Sequence, residues 1–271
     1  MYKIAFIVWL YTVCYANGQQ ETFTSGNDYH CNPSFHVHPN TNGCTGNEFT
    51  AAPCQPATLP RDCSEVSDRG NTHSGQYIIS PQDDGPPFRV FCDMDTDGGS
   101  WTVIQRREDG SISFYRNWSD YENGFGNTNS EHWLGNRKIH RITSQAIYEL
   151  RIDMADFDGN TSHAEYAKFR IGDFSTDYKL ILGSYSGNAG DSLTRYSGAP
   201  FSTKDADHDE IDSNCAITYK GAWWYKGCHD SNLNGQYLGG AHESFADGIN
   251  WKQWKGYNYS LKYVEMKIRI K

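Results

Sequence analysis

Between Asp205 and Asp212 the chain places five carboxylates in eight residues: Asp205, Asp207, Asp209, Glu210 and Asp212. Hard oxygen ligands this close together suit Ca²⁺, which takes about six to eight oxygens from carboxylates and backbone carbonyls. The run is not an EF-hand. Counted from Asp205, Glu210 stands where that loop needs glycine, and Ala216 stands where it needs glutamate. On its own the run also reads as a solvated acidic loop.

A second cluster follows at Trp223-Trp224-Tyr225-Lys226-Gly227-Cys228-His229. Cys228 beside His229 has the residue types of a nucleophile and its base. Sequence neighbours rarely face each other, however, and an extracellular cysteine is normally oxidised. The tryptophan pair reads as core. Gly183-Ser184-Tyr185-Ser186-Gly187 puts a tyrosine at the nucleophile position of a G-x-S-x-G elbow. No phosphate-binding G-x-x-x-x-G-K loop, HExxH helix or CxxC pair occurs. No enzyme signature is left, and the chain is read as a non-enzyme.

Such clusters need elements to position them. From Arg61 onward aromatic-rich runs alternate with Gly, Asn and Asp turns. A helix is expected over 64–69 with Ser64 as its cap. Strands are expected over 76–79, 88–92, 148–153, 164–171, 179–182 and 263–270, with 101–106 as a half-buried strand, because apolar and polar residues alternate there. Residues 183–256 are mostly turns, Gly, Asn and Trp. A stretch that long needs ties, and Cys215 with Cys228 can supply one.

The chain has 271 residues, enough for one large domain or two small ones. Aromatics are 14% of it, too many for a disordered chain, and its 26 glycines show no collagen period. A net charge of -9 argues against a nucleic-acid surface. Lys3, a mostly apolar run over 4–13 and the small residues Ala16 and Gly18 read as a secretory signal peptide over 1–18, which places the protein outside the cell. Removing it takes Cys14 and leaves Cys31, Cys44, Cys54, Cys63, Cys92, Cys215 and Cys228. An odd count in an oxidising compartment leaves one cysteine free or bonded to another chain, so a disulfide-linked homo-oligomer is expected. Residues 19–60 read as an irregular cysteine-containing arm without coiled-coil heptads. Sequons stand at Asn117, Asn160 and Asn258.

Several runs occur in a telling order: Phe91-Cys92-Asp93-Met94-Asp95-Thr96-Asp97-Gly98-Gly99-Ser100-Trp101, Asp156-Phe157-Asp158-Gly159-Asn160, Asn214-Cys215-Ala216, Gly221-Ala222-Trp223-Trp224-Tyr225, Ser231-Asn232-Leu233-Asn234-Gly235 and Gly248-Ile249-Asn250-Trp251. Over 61–271 the chain thereby resembles the fibrinogen-related (fibrinogen C-terminal) domain family, and within it the ficolin and tachylectin-type lectins. The resemblance implies an α+β fold with a central antiparallel sheet and a loop-rich calcium and ligand subdomain. It implies disulfides Cys63–Cys92 and Cys215–Cys228. Ca²⁺ would be held by the side chains of Asp207 and Asp209 and the carbonyls of Ile211 and Ser213.

The lectin members admit an acetyl group to an aromatic funnel. The matching positions are Tyr219, Cys228, His229, Phe245, Ala246 and Tyr257, with backbone N–H groups near Cys228 and His229 as donors and a cis Gly227–Cys228 peptide. Phe245 stands where some members have tyrosine, and Gly227 where a longer side chain is common. The expected partners are N-acetylated glycans on microbial or cell surfaces, in an innate immune role. The family also contains non-lectin ligands of cell-surface receptors and clotting subunits, though Tyr219 replaces an acid of the clotting-type pocket. Glycans are expected at Asn117 or Asn160. Asn258 should stay unmodified, because a glycan beside Tyr257 would crowd the funnel.

Overall fold

The structure is a computed structural model that describes residues 58–271, together with the backbone of 11–16 and 19–24. The expectations for Cys31, Cys44 and Cys54, and for most of the signal and arm, lie outside the described residues. Strands β1 (Tyr11–Ala16) and β2 (Gln19–Thr24) pair antiparallel in the first of two compact units. The second unit, Leu59–Lys271, holds all the candidate site residues.

This unit opens with α1 (Cys63–Asp68), β3 (Gly75–Ile79), β4 (Phe88–Asp93) and β5 (Trp101–Arg107). Then come α2 (Trp118–Asn123), β6 (Phe125–Gly126), β7 (His132–Trp133) and α3 (Asn136–Thr143). Strands β8 (Tyr148–Ala155), β9 (Thr161–Ile171), β10 (Leu180–Leu182) and β11 (Tyr185–Gly187) follow. The remainder is short: α4 (Cys215–Thr218), β12 (Ser231–Asn232), β13 (Gly240–Ala241), β14 (Asn250–Trp251), α5 (Lys252–Lys255) and β15 (Tyr259–Ser260). The long strand β16 (Tyr263–Ile270) ends the chain.

Most strands join one antiparallel sheet in the order β10-β9-β8-β16-β5-β4-β3, with β11 on β9 and β7 on β5. The last strand therefore sits at the centre, with Met266 opposite Ile152 on one side and Gln105 on the other. In β8 every second residue is buried, as the alternation predicts.

Strand β5 departs from expectation: all seven of its residues are buried, although 101–106 reads as half-buried. Its polar face is covered by the loop-rich half of the domain. Gln105 donates to the Leu233 carbonyl (3.0 Å), and Arg107 donates to the carbonyls of Leu233 (3.0 Å) and Gly235 (2.8 Å). Arg106 pairs with Glu265 at 2.6 Å. Polar alternation here marks a second packed layer, and these bonds fix the loop-rich half against the sheet.

Helix α1 is capped by Asp62, whose carboxylate accepts from Glu65 N at 3.0 Å, and Ser64 lies inside the helix. The start is set early because Cys63 N is held by Thr102 Oγ1 at 3.2 Å. The disulfide Cys63–Cys92 then ties α1 to β4. Helices α2 and α3 have no counterpart among the expected elements. They are short and are held by packing: Tyr121 and Trp133 stack with Phe201, and Trp133 meets Trp224 at 6.2 Å.

Candidate ligand and calcium site

Residues 188–262 form the loop-rich half, and buried asparagines do much of the work that a ladder does elsewhere. Asn232, Asn234 and Asn250 are fully buried. Asn232 donates to the Tyr219 carbonyl (3.0 Å) and accepts from Tyr225 Oη (2.7 Å). Asn234 donates to the Ala222 carbonyl (2.9 Å). Asn250 donates to the carbonyls of Tyr257 (3.0 Å) and Tyr259 (2.8 Å). Each bond satisfies a loop carbonyl that would otherwise be costly to bury. The crossing of these segments is tight. A Cβ on Gly235 would stand 2.1 Å from the Gly248 carbonyl oxygen, so only glycine fits there.

The scaffold brings the acetyl-pocket positions together. The His229 ring meets Tyr219 at 4.7 Å and Tyr257 at 5.9 Å, both edge-on, and Phe245 meets Tyr257 at 5.0 Å. Ala246 is buried with φ 63°, and its N–H donates to the Tyr257 carbonyl (3.1 Å). Phe245 is 61% exposed and stands at the rim. Among the described residues no acceptor takes the N–H groups of Cys228 and His229.

The imidazole of His229 is 5% exposed, and among the described residues neither ring nitrogen finds a partner at hydrogen-bond geometry. Burial pushes it down to about 4, against smaller opposing pulls from the Ala246 backbone and Asp230. The fold therefore favours neutral His229. Its contribution to stability is fully present above the unfolded value near 6.5 and is lost as pH falls from there toward 4, about 3 kcal/mol in all. Urea unfolding between pH 7 and pH 4 should show this loss, and His229→Gln should flatten it. An equally steep pH dependence in the variant would assign the loss to other groups.

Beside the pocket lies a charged cluster that sequence reasoning missed. Asp230 accepts from Tyr257 Oη (2.8 Å) and pairs with Lys252 (2.9 Å) and Arg195 (3.0 Å). Burial pushes the Asp230 carboxyl up, but these three partners together hold it at about 2. Asp230 follows the Cys228-His229 pair directly. Only its distant partners mark it out, and they are invisible to spacing.

The acidic loop sits one covalent step away. Asp209 Oδ2 accepts from Cys215 N (2.9 Å), and Cys215 is disulfide-bonded to Cys228. Asp209 Oδ1 accepts from Ile211 N (2.9 Å), and Asp209 N donates to Asp207 Oδ1 (3.3 Å). Burial first, and then the Asp207 carboxylate beside it, push Asp209 up from its ordinary value. Among the described residues no lysine or arginine pairs with either aspartate. Among the described residues no third His, Cys, Asp or Glu side chain joins them, so backbone carbonyls would have to complete a metal shell. Two carboxylates pressed together without a counter-charge fit a divalent cation.

A hollow of about 550 Å³ lies elsewhere, over strands β4, β5, β8, β9 and β16. Its central cation, Lys267, is already matched by Asp93 (2.6 Å), Asp153 (2.7 Å) and Glu265 (3.2 Å), which leaves it little charge to offer a ligand.

Residues 59–271 match the family of the C-terminal globular domain of fibrinogen beta and gamma chains. The chain belongs to the fibrinogen C-terminal domain family.

Among curated relatives, "Fibrinogen C domain-containing protein 1" of Mus musculus is 54% identical over 76% of this chain and 46% of its own length. The Homo sapiens protein of that name is 52% identical over 80% of this chain and 48% of its own. This chain thus spans about half the length of these relatives. Among solved structures, the fibrinogen-like globe of human ANGPTL2 is 47% identical with a TM-score of 0.77, covering 78% of this chain and 99% of that one. Lamprey fibrin D-dimer, solved with the peptide Gly-His-Arg-Pro-amide, is 35% identical with a TM-score of 0.73, covering 82% of this chain and 79% of that one.

One expectation taken from the fibrinogen C-terminal family is corrected. No described peptide bond is cis, so Gly227–Cys228 is trans. The turn is made by Cys228 in the left-handed region at φ 59°. Of the sequons, Asn117 is exposed at the start of α2 and its side chain makes no cap bond. Asn160 Nδ2 donates to Asp156 (2.7 Å). Asn258 Nδ2 donates to the Ser244 carbonyl (3.0 Å), on the loop that carries Phe245.

Proposed function

We propose that this member of the fibrinogen C-terminal family is a secreted, calcium-dependent lectin for N-acetylated glycans. The observation that carries the reading is the convergence of Tyr219, His229, Phe245 and Tyr257 around the N–H groups of Cys228 and His229. An acetyl methyl would be buried against the rings and Ala246, and its carbonyl would accept from those donors. Ca²⁺ on Asp207 and Asp209, with the carbonyls of Ile211 and Ser213, would hold the loop that reaches the pocket through Cys215–Cys228. An acetyl group has few atoms, so one pocket binds weakly, and avidity would come from a disulfide-linked homo-oligomer.

Retention on N-acetylglucosamine beads in calcium, with release by free acetate or N-acetylglucosamine, is the direct test. Tyr257→Ala should cut retention at least about tenfold while leaving folding near normal, since a lost aromatic wall is worth about 1.4 kcal/mol or more. The alternative, a non-lectin ligand of a cell-surface receptor, expects no retention by the wild type.

A further inference from the structure

The N–H donors of the candidate acetyl pocket and its Tyr257 wall come from segments 28 residues apart in the chain, and the Asp230 side chain joins them. Asp230 follows His229 directly. Its Oδ1 accepts from Tyr257 Oη at 2.8 Å and from Lys252 Nζ at 2.9 Å, and its Oδ2 accepts from Arg195 Nη1 at 3.0 Å. The Asp230 carbonyl accepts from Lys252 N at 2.9 Å, so the two segments are already in register beside the carboxylate. The Asp230 side chain is 10% exposed, against 41% for Lys252 and 61% for Arg195, which makes the carboxylate the recessed member of the cluster.

The hydroxyl of a tyrosine wall can bond the ligand, or it can hold the ring. A phenol has one proton to give. Two acceptors stand within reach of Tyr257 Oη, Asp230 Oδ1 at 2.8 Å and the His229 carbonyl at 3.1 Å. The ionised, nearer acceptor makes the stronger bond. Both belong to the protein, so the hydroxyl keeps no proton to donate to a sugar. At its other end Tyr257 is fixed by its carbonyl, which accepts from Asn250 Nδ2 (3.0 Å) and Ala246 N (3.1 Å). The residue is therefore held at both ends. Phe245, 5.0 Å from it, has no polar end to hold and is set by packing. Fixing a wall before the ligand arrives removes an ordering cost from binding. Resting on the acetyl reading above, we propose that Asp230 is a positioning residue that sets Tyr257 relative to the N–H groups of Cys228 and His229, and that the Tyr257 hydroxyl serves this tether and not the ligand.

The test is a double-mutant cycle on the affinity for N-acetylglucosamine, read by titration of the intact protein in calcium at a temperature where every variant is folded. Tyr257→Phe keeps the ring and loses the tether, and Asp230→Ala keeps the hydroxyl and loses its anchor. Each should weaken binding about tenfold, the size of one charge-assisted hydrogen bond. The double variant should bind within about twofold of either single one, because the same tether is removed once. Asp230→Asn keeps an acceptor for the phenol and should recover to within about threefold of the wild type. A purely structural role for Asp230 would lower the melting temperature and leave the affinity of the folded protein unchanged. Wild-type affinity in Asp230→Ala, or losses that multiply in the double variant, would overturn the tether and leave the acetyl reading standing. Failure of the wild type to bind would overturn the acetyl reading, and the tether with it.

Discussion

Glu131→Ala destabilises the domain by about 3–5 kcal/mol, enough to bring many single domains close to unfolding. The Glu131 side chain is fully buried and faces Arg107, 1% exposed, at 3.6 Å. Its oxygens also accept three backbone N–H groups, from Glu108 (3.0 Å), Gly110 (3.1 Å) and Ile112 (2.9 Å). Burial pulls the Arg107 guanidinium down to about 10, still charged at neutral pH. Truncating Glu131 thus leaves a buried cation without its counter-ion and three donors without acceptors. Urea unfolding would measure the loss. Glu131→Gln should cost less than Glu131→Ala, because its amide oxygen still accepts from part of the three backbone N–H groups. A loss below about 1 kcal/mol for Glu131→Ala would mean that water reaches this pair.

Asp207→Ala combined with Asp209→Ala should abolish calcium-dependent stabilisation and acetyl binding together. A bound ion stabilises by mass action, about 2.7 kcal/mol at a hundredfold excess over its Kd. The coupling to the pocket is structural. Asp209 holds the Cys215 N–H, and the disulfide carries that restraint to Cys228, whose N–H is one of the two proposed donors. Thermal melts with calcium and with chelator provide the measurement. Identical wild-type melting curves in the two conditions would end the calcium reading, and intact bead binding by the double variant would show that the loop and the pocket are independent.

Strands β8 and β9 are legible from alternation because one face of each is more deeply buried than the other, and β16 keeps the alternating pattern in its sequence although its polar Glu265 and Lys267 are buried as well. That logic fails at β5, where Gln105 and Arg107 point into a second layer instead of solvent. It also passes over α2, α3 and the two-residue strands, whose stability is tertiary and leaves no periodic trace. The proposed wall positions Tyr219, His229, Phe245 and Tyr257 come from the family resemblance alone, since no spacing rule joins residues so far apart. Asp230, Asn232 and Asn250 are not marked as functional in the sequence, because a buried polar side chain and a solvated one look alike until their partners are placed.

The way Asn232 and Asn250 grip their neighbours has an evolutionary consequence. Each holds a wall residue, Tyr219 or Tyr257, by its backbone carbonyl, an atom that every amino acid possesses. The tether is blind to the side chain it positions. Position 219 can therefore be exchanged, tyrosine for tryptophan or for an acid, without dismantling the loop that carries it, whereas Tyr257 is held a second time through its hydroxyl on Asp230. A fold anchored in this way can change its ligand by point mutation, because inheritance of the frame is separated from the choice of what the frame displays.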